Sequence, residues 1–168
     1  MALSLSEYAD QDGMGLAALV RSGQVKATEL MAAALASIEQ LNPKLNAVTH
    51  TMRPEAEAMI AAGLPDGPYT GVPFLLKDLS PTVANVPTSA GSRFFGGVVR
   101  SYDTELVRRW KQAGLVMVGK TNTPELGSSG STEPVATGPV HNPWGLGRSA
   151  GGSVCNGGYT CEFMCLGR

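Results

Sequence analysis

Hydrophobic spacing divides the chain near residue 70 into a helical first part and a mixed second part. Ser4-Leu-Ser-Glu7 has the spacing of a capping box, in which a hydroxyl and a carboxylate take up the free amides of a first helical turn. It predicts a helix running toward Val20, with Gly13 and Gly15 weakening it. After Thr28 and Glu29, apolar residues recur at helical spacing as Leu30, Ala34, Ile38 and Leu41, predicting a second helix that Pro43 ends. The two are expected to pack as a pair. Arg53 to Ala62, rich in Ala and Glu and followed by Gly63, predicts a third helix.

The texture then changes. Gly71-Val-Pro-Phe-Leu-Leu-Lys-Asp-Leu79 is a short apolar run without helical period, bounded by Pro73 and Pro81, and predicts a buried strand. Asp103 or Thr104 caps a helix that places Leu106, Val107, Trp110 and Ala113 on one face and stops at Gly114. Leu115-Val-Met-Val118 follows at once as a second buried strand. Strand, helix and strand in this order predict an α/β domain whose helices cover a sheet. There is no internal repeat.

Composition narrows the function classes. The 168 residues are 43% hydrophobic and 16% charged, with 13 basic and 14 acidic side chains, as in a globular protein. The length suits one domain or a piece of a larger one. A net charge of -1 and the lack of any basic run give no footprint for nucleic acid. The first twenty residues carry Glu7, Asp10 and Asp12 and no basic leader, and no apolar stretch approaches the ~18 residues that span a bilayer, so the expected location is the cytoplasm without membrane attachment. Nine of the 21 glycines fall within residues 127–158, and Cys155, Cys161 and Cys165 all lie in the last fourteen positions.

Two segments are candidates for chemistry. Lys77 follows Phe74-Leu75-Leu76 and would sit at the end of a buried strand, where burial lowers an amine's pKa toward that of a general base. Alternatively it snorkels to the surface or pairs with Asp78. In Gly145-Leu-Gly-Arg-Ser-Ala-Gly-Gly-Ser153, dense glycine allows sharp turns and close backbone approach to a ligand. Gly147 and Gly152 have phosphate-loop spacing, but Ser153 stands where that motif needs Lys, and no dinucleotide fingerprint follows a strand. Taken alone, the segment also fits a flexible polar loop.

Taken together, Gly71-Val-Pro-Phe-Leu-Leu-Lys77-Asp78, Gly119-Lys-Thr-Asn-Thr-Pro-Glu125, Asn142-Pro-Trp144 and Gly147-Arg-Ser-Ala-Gly-Gly-Ser153 resemble the amidase signature family in wording and order. The resemblance covers roughly residues 4–153. Thr132-Glu-Pro134 and the Asn-Pro-Trp-x-Leu-Gly-Arg-Ser wording are similar to the branch that holds 6-aminohexanoate cyclic dimer hydrolases. The resemblance implies an α/β fold: amino-terminal helices, then the first part of a mixed, helix-covered sheet, incomplete in this length. It implies Lys77 as general base and Ser153 as the bridging serine of a Ser-cisSer-Lys triad, with His50 and His141 as bystanders and neither metal nor cofactor.

The likeness stops at Ser153. In the family the signature continues as Ser-Ser-Gly-Gly, and the nucleophilic serine follows about two dozen residues later. Here Val-Cys-Asn-Gly-Gly follows, and none of residues 154–168 is Ser. The expected division is therefore an amidase portion over 1–153 and a divergent tail over 154–168, produced by an interruption just after Ser153. The cysteine spacing, Cys-x5-Cys-x3-Cys, lacks the pairing of a zinc site and leaves free thiols as the expectation. The expected function is hydrolysis of a small-molecule amide, with the isolated chain inactive, poorly stable and compatible with a homo-oligomer. The alternatives are a non-catalytic interaction module on an amidase scaffold and an amidase-like subunit of a glutamine-dependent transamidase.

Overall fold

The computed structural model describes residues 5–152. Helices α1 (Leu5–Ala9), α2 (Gly13–Arg21) and α3 (Ala27–Leu45) come first, followed by strand β1 (Val48–Thr51) and helix α4 (Arg53–Ala61). Then come β2 (Pro73–Lys77), α5 (Glu105–Gln112), β3 (Val116–Thr121) and a ribbon of β4 (His141–Asn142) and β5 (Gly145–Ser149). The main sheet has the order β1-β3-β2, with β1 antiparallel and β2 parallel to β3. It is mixed and helix-covered, as expected. No helix among the described residues is long and apolar enough to cross a membrane.

The two sheet faces bury separate cores. Tyr8, Leu16, Leu30, Ala34 and Ile38 from α1–α3 pack with Val72, Leu75, Val116 and Val118 on one face. Met52, Leu76, Val83, Val86, Val107 and Met117 form the other. Phe74 and Trp110 stack obliquely with centroids 4.9 Å apart and pack against both clusters, tying α5 to β2.

Four local expectations are corrected. The single helix expected from residue 4 breaks at Asp10–Asp12, because the Asp12 carboxylate accepts from Gly15 N at 2.7 Å and caps a separate α2. Pro43 lies inside α3 and does not end it, although it lacks the N–H that would bond to the preceding turn, and Asn46, left-handed at φ 53°, is the cap. Leu106 points outward, 48% exposed, while Val107 is buried. Gly145–Ser149, which fitted a loop when taken alone, is a strand paired with β4. The strand at Val48–Thr51 has no clear alternation to announce it, and β3 continues past Val118 to Thr121.

The turn before β2 and the end of α5 are pinned together. Tyr69 N donates to Ala113 O and Gly71 N to Gly114 O, both at 2.9 Å, and Val116 N donates to Val72 O at 2.8 Å, so the two parallel strands start in register. Gly114 has φ +89°, and a Cβ there would lie 2.5 Å from Thr70 Cα. Gly63 has a similar φ of +91° but open space around it. Gly63→Ala should therefore cost only the left-handed penalty of about 1–2 kcal/mol, and Gly114→Ala distinctly more, read as urea-denaturation free energies. Equal losses would contradict the pinned turn.

Candidate active site

The parallel pair β2 and β3 delivers four polar residues to its carboxyl end, the edge where parallel α/β sheets place their ligands. Leu76 pairs with Lys120 and Lys77 with Thr121, and Asp78 N extends the ladder to Thr121 O at 3.1 Å. Between the Phe74–Met117 and Leu75–Gly119 pairs the register slips by one residue. This bulge puts both Val118 and Gly119 toward the helical core, where a Cβ on Gly119 would meet Leu75 Cδ2 at 3.1 Å. Alternation then resumes in the opposite phase. Lys120 shares the face of Leu76, and Lys77 shares the other face with Thr121.

The two lysines differ in environment. Lys77 is half-buried, and burial holds its amine below the ordinary lysine range. Lys120 is fully buried. Its ammonium has three donors and uses three acceptors: Pro87 O at 2.5 Å, Thr88 Oγ1 at 2.6 Å and Asp78 Oδ1 at 3.4 Å. Burial lowers the Lys120 pKa, with the Asp78 carboxylate opposing that shift. Asp78 also accepts from Ser89 Oγ at 2.5 Å and from Ser89 N at 3.2 Å. The carboxylate next to Lys77 in sequence is thus committed to Lys120 and the 87–89 loop. Sequence reasoning misses Lys120, which is separated from the apolar run Leu115–Val118 by Gly119 and takes its aim from the bulge.

A second layer positions the glycine-rich segment. Asn122 Nδ2 donates to Asn46 O and Gly138 O at 3.2 Å, and Thr137 Oγ1 donates to Asn122 Oδ1 at 2.8 Å. Val140 N donates to Thr132 O at 2.9 Å, Ala150 N to Val140 O at 3.3 Å, and the buried Thr132 hydroxyl to Gly151 O at 2.8 Å. Gly152 lies so close to the 129–131 backbone that a Cβ would be 2.8 Å from Ser131 C and 2.9 Å from Ser129 O. A side chain at 152 is therefore excluded on steric grounds. Ser153 itself lies outside the described residues, as do Cys155, Cys161 and Cys165. His141 is held by a 2.9 Å contact between Nδ1 and Leu146 O in the ribbon, and His50 lies on β1 opposite Lys120. The hydroxyls of Thr121 and Thr123, at the β3 exit, are buried without a hydrogen-bond partner among the described residues.

Most of the chain matches known proteins in sequence and fold. The Amidase family profile matches residues 29–158. The 6-aminohexanoate-cyclic-dimer hydrolase of Paenarthrobacter ureafaciens is 44% identical over 147 residues, 85% of this chain and 29% of that protein. A glutamyl-tRNA(Gln) amidotransferase subunit of Salinispora arenicola (strain CNS-205) is 43% identical over 145 residues, 82% of this chain and 29% of that protein. A solved 6-aminohexanoate cyclic dimer hydrolase complexed with substrate superposes with a TM-score of 0.85 at 38% identity, covering 92% of this chain and 33% of that one. The chain thus spans about three-tenths of the length of the curated relatives it matches.

The environment of Lys120 sets a pH dependence. Its folded-state pKa lies below its unfolded one, so between the two values the unfolded chain binds a proton that the folded chain has released. Stability therefore rises with pH across that window and levels off above the ordinary lysine value. Urea midpoints measured from neutral to alkaline pH should climb, with a shallower slope in Lys120→Met. A midpoint that falls across the window, or an identical slope in the variant, would contradict the assignment.

Proposed function

The chain belongs to the amidase signature family, and from that premise we propose that it supplies the base and the bridging hydroxyl of a serine-dependent amide hydrolase. Lys77 is the base and Ser153 the bridge. The neutral Lys77 amine accepts a proton from the Ser153 hydroxyl as that hydroxyl accepts one from a nucleophilic serine. The nucleophile adds to the amide carbonyl, the C–N bond breaks, and the relayed proton returns to the departing nitrogen. Water then cleaves the acyl-enzyme to the carboxylate. No residue from 154 to 168 is serine, so no nucleophile is assigned within this sequence.

One observation carries this reading: Lys77 stands at the carboxyl end of a buried parallel strand, its pKa lowered by burial, with the adjacent carboxylate engaged elsewhere. The close packing of Gly152 on the 129–131 backbone supports a glycine requirement at the position before Ser153. The substrate class is a small linear or cyclic amide, the cyclic case in keeping with the name of the 44% identical hydrolase, and the reaction as proposed uses no cofactor and runs in the cytoplasm. Likeness to the amidotransferase subunit favours a second reading, in which the amide is that of glutamine and a second subunit receives the ammonia.

A chimera tests the reading. Residues 5–153 replace the matching stretch of the Paenarthrobacter ureafaciens hydrolase, which supplies the rest of the family-length chain. The chimera should hydrolyse 6-aminohexanoate cyclic dimer, and Lys77→Ala should lower kcat/KM by about 10³-fold. Lys77→Arg should lose as much, because guanidinium keeps its proton at working pH. Full activity in either variant overturns Lys77 as base. Glutamine turnover that depends on an added amidotransferase partner would favour the second reading. The 168-residue chain alone should show no amide turnover.

A further inference from the structure

We propose that Lys120 is a positioning residue for Lys77: from inside the protein it holds the Asp78 carboxylate on the opposite side of the sheet, so that this charge does not pair with the lysine beside it.

The sequence places a carboxylate next to an amine that must lose its proton to act. A Lys77–Asp78 ion pair would stabilise the ammonium form and remove the base, since an opposite charge within about 4–6 Å favours the charged state by one or more pKa units. Adjacent strand residues point to opposite faces, which separates the two side chains only if Asp78 has a reason to stay on its own side. Lys120 and the loop at residues 87–89 supply that reason. Asp78 Oδ1 meets Lys120 Nζ at 3.4 Å, and Ser89 gives the carboxylate a hydroxyl at 2.5 Å and a backbone amide at 3.2 Å. The same ammonium anchors the loop through Pro87 O and Thr88 Oγ1, so one buried cation fixes both the carboxylate and the segment that caps it.

Lys120 reaches this position through the bulge at Val118 and Gly119. With unbroken alternation it would fall on the face of Val116 and Val118, against the helical core, and out of reach of Asp78. The charged groups acting on Lys120 are Asp78 and Arg100. Burial is what lowers the Lys77 amine, in keeping with an Asp78 charge held on the other face.

The test follows the titration of the Lys77 side chain by NMR in the 168-residue chain, beside its variants. In Lys120→Met, close to lysine in shape but uncharged, Asp78 loses its counter-charge. The Lys77 midpoint should then rise by about one pH unit, leaving tenfold less free amine at a given pH. Adding Asp78→Asn to Lys120→Met should return the midpoint to the wild-type value, which a merely structural role for Lys120 would not do. An unchanged midpoint in folded Lys120→Met overturns the proposal. Asp78→Asn alone provides a test that does not depend on Lys120→Met folding. It should leave Lys77 within threefold in free amine, whereas a tenfold gain would mean that Asp78 already acts on Lys77 and would also overturn the proposal. The catalytic meaning rests on Lys77 being the base, but the titration does not. If the chimera keeps its activity in Lys77→Ala while these shifts appear, the function fails and the positioning stands.

Discussion

A one-residue slip between two parallel strands governs how charge is distributed in this structure. The bulge at Val118–Gly119 reverses the alternation of β3, so that Lys77 at the end of β2 and Lys120 near the end of β3 leave the sheet on opposite faces. One face gives a partly buried amine at the carboxyl edge. The other gives a cation enclosed among Leu76, Asp78, Pro87 and Thr88. A fully buried lysine is costly unless every donor is satisfied, and removing one partner of such a pair typically costs about 3–5 kcal/mol. The 87–91 loop is therefore bound to the sheet through Lys120. Gly91 belongs to the same arrangement: at φ +68° it lies so close to the β3 exit that a Cβ would be 2.4 Å from Thr123 O.

The remaining scaffold keeps that edge in register. The turn at 67–71 and the end of α5 share backbone hydrogen bonds, which start β2 and β3 together, and Phe74 with Trp110 locks α5 over them. On the far side, Asn46 ends α3 and spends its amide on Thr137 O and Pro139 O at 2.7 and 3.0 Å. Asn122, one residue past β3, reaches back to Asn46 O. Helix end, strand end and the segment leading to the glycine-rich stretch are joined at two asparagines. Gly152 then lies on the 129–131 backbone, and the Thr132 hydroxyl ties down the neighbouring Gly151 through its carbonyl. Separate motifs in the sequence thus become one connected surface.

Most of the elements are legible in the sequence because their signals are local. The α3 periodicity, the apolar run ending in Lys77 and the stop at Gly114 each depend on a few neighbouring residues. The pattern misleads where distant partners decide. Pro43 resembles a helix stop, yet the cap at Asn46 is fixed by carbonyls more than ninety residues away. Gly145–Ser149 looks like a loop because its pairing with β4 is short and its side chains are mostly exposed. At the site, Lys77 is visible as the end of an apolar run. Lys120 is hidden because the bulge that re-aims it leaves no mark in the pattern, and Asp78 is open to pairing with Lys77 until its true partners are placed.

In the proposed mechanism Lys77 acts as a base because burial, on a face kept clear of the Asp78 charge, lowers its pKa. Its direct measure is the NMR titration midpoint of Lys77 in the unmodified chain. A midpoint clearly below the ordinary lysine value of about 10.4 is the predicted result. A midpoint at or above that value would contradict it.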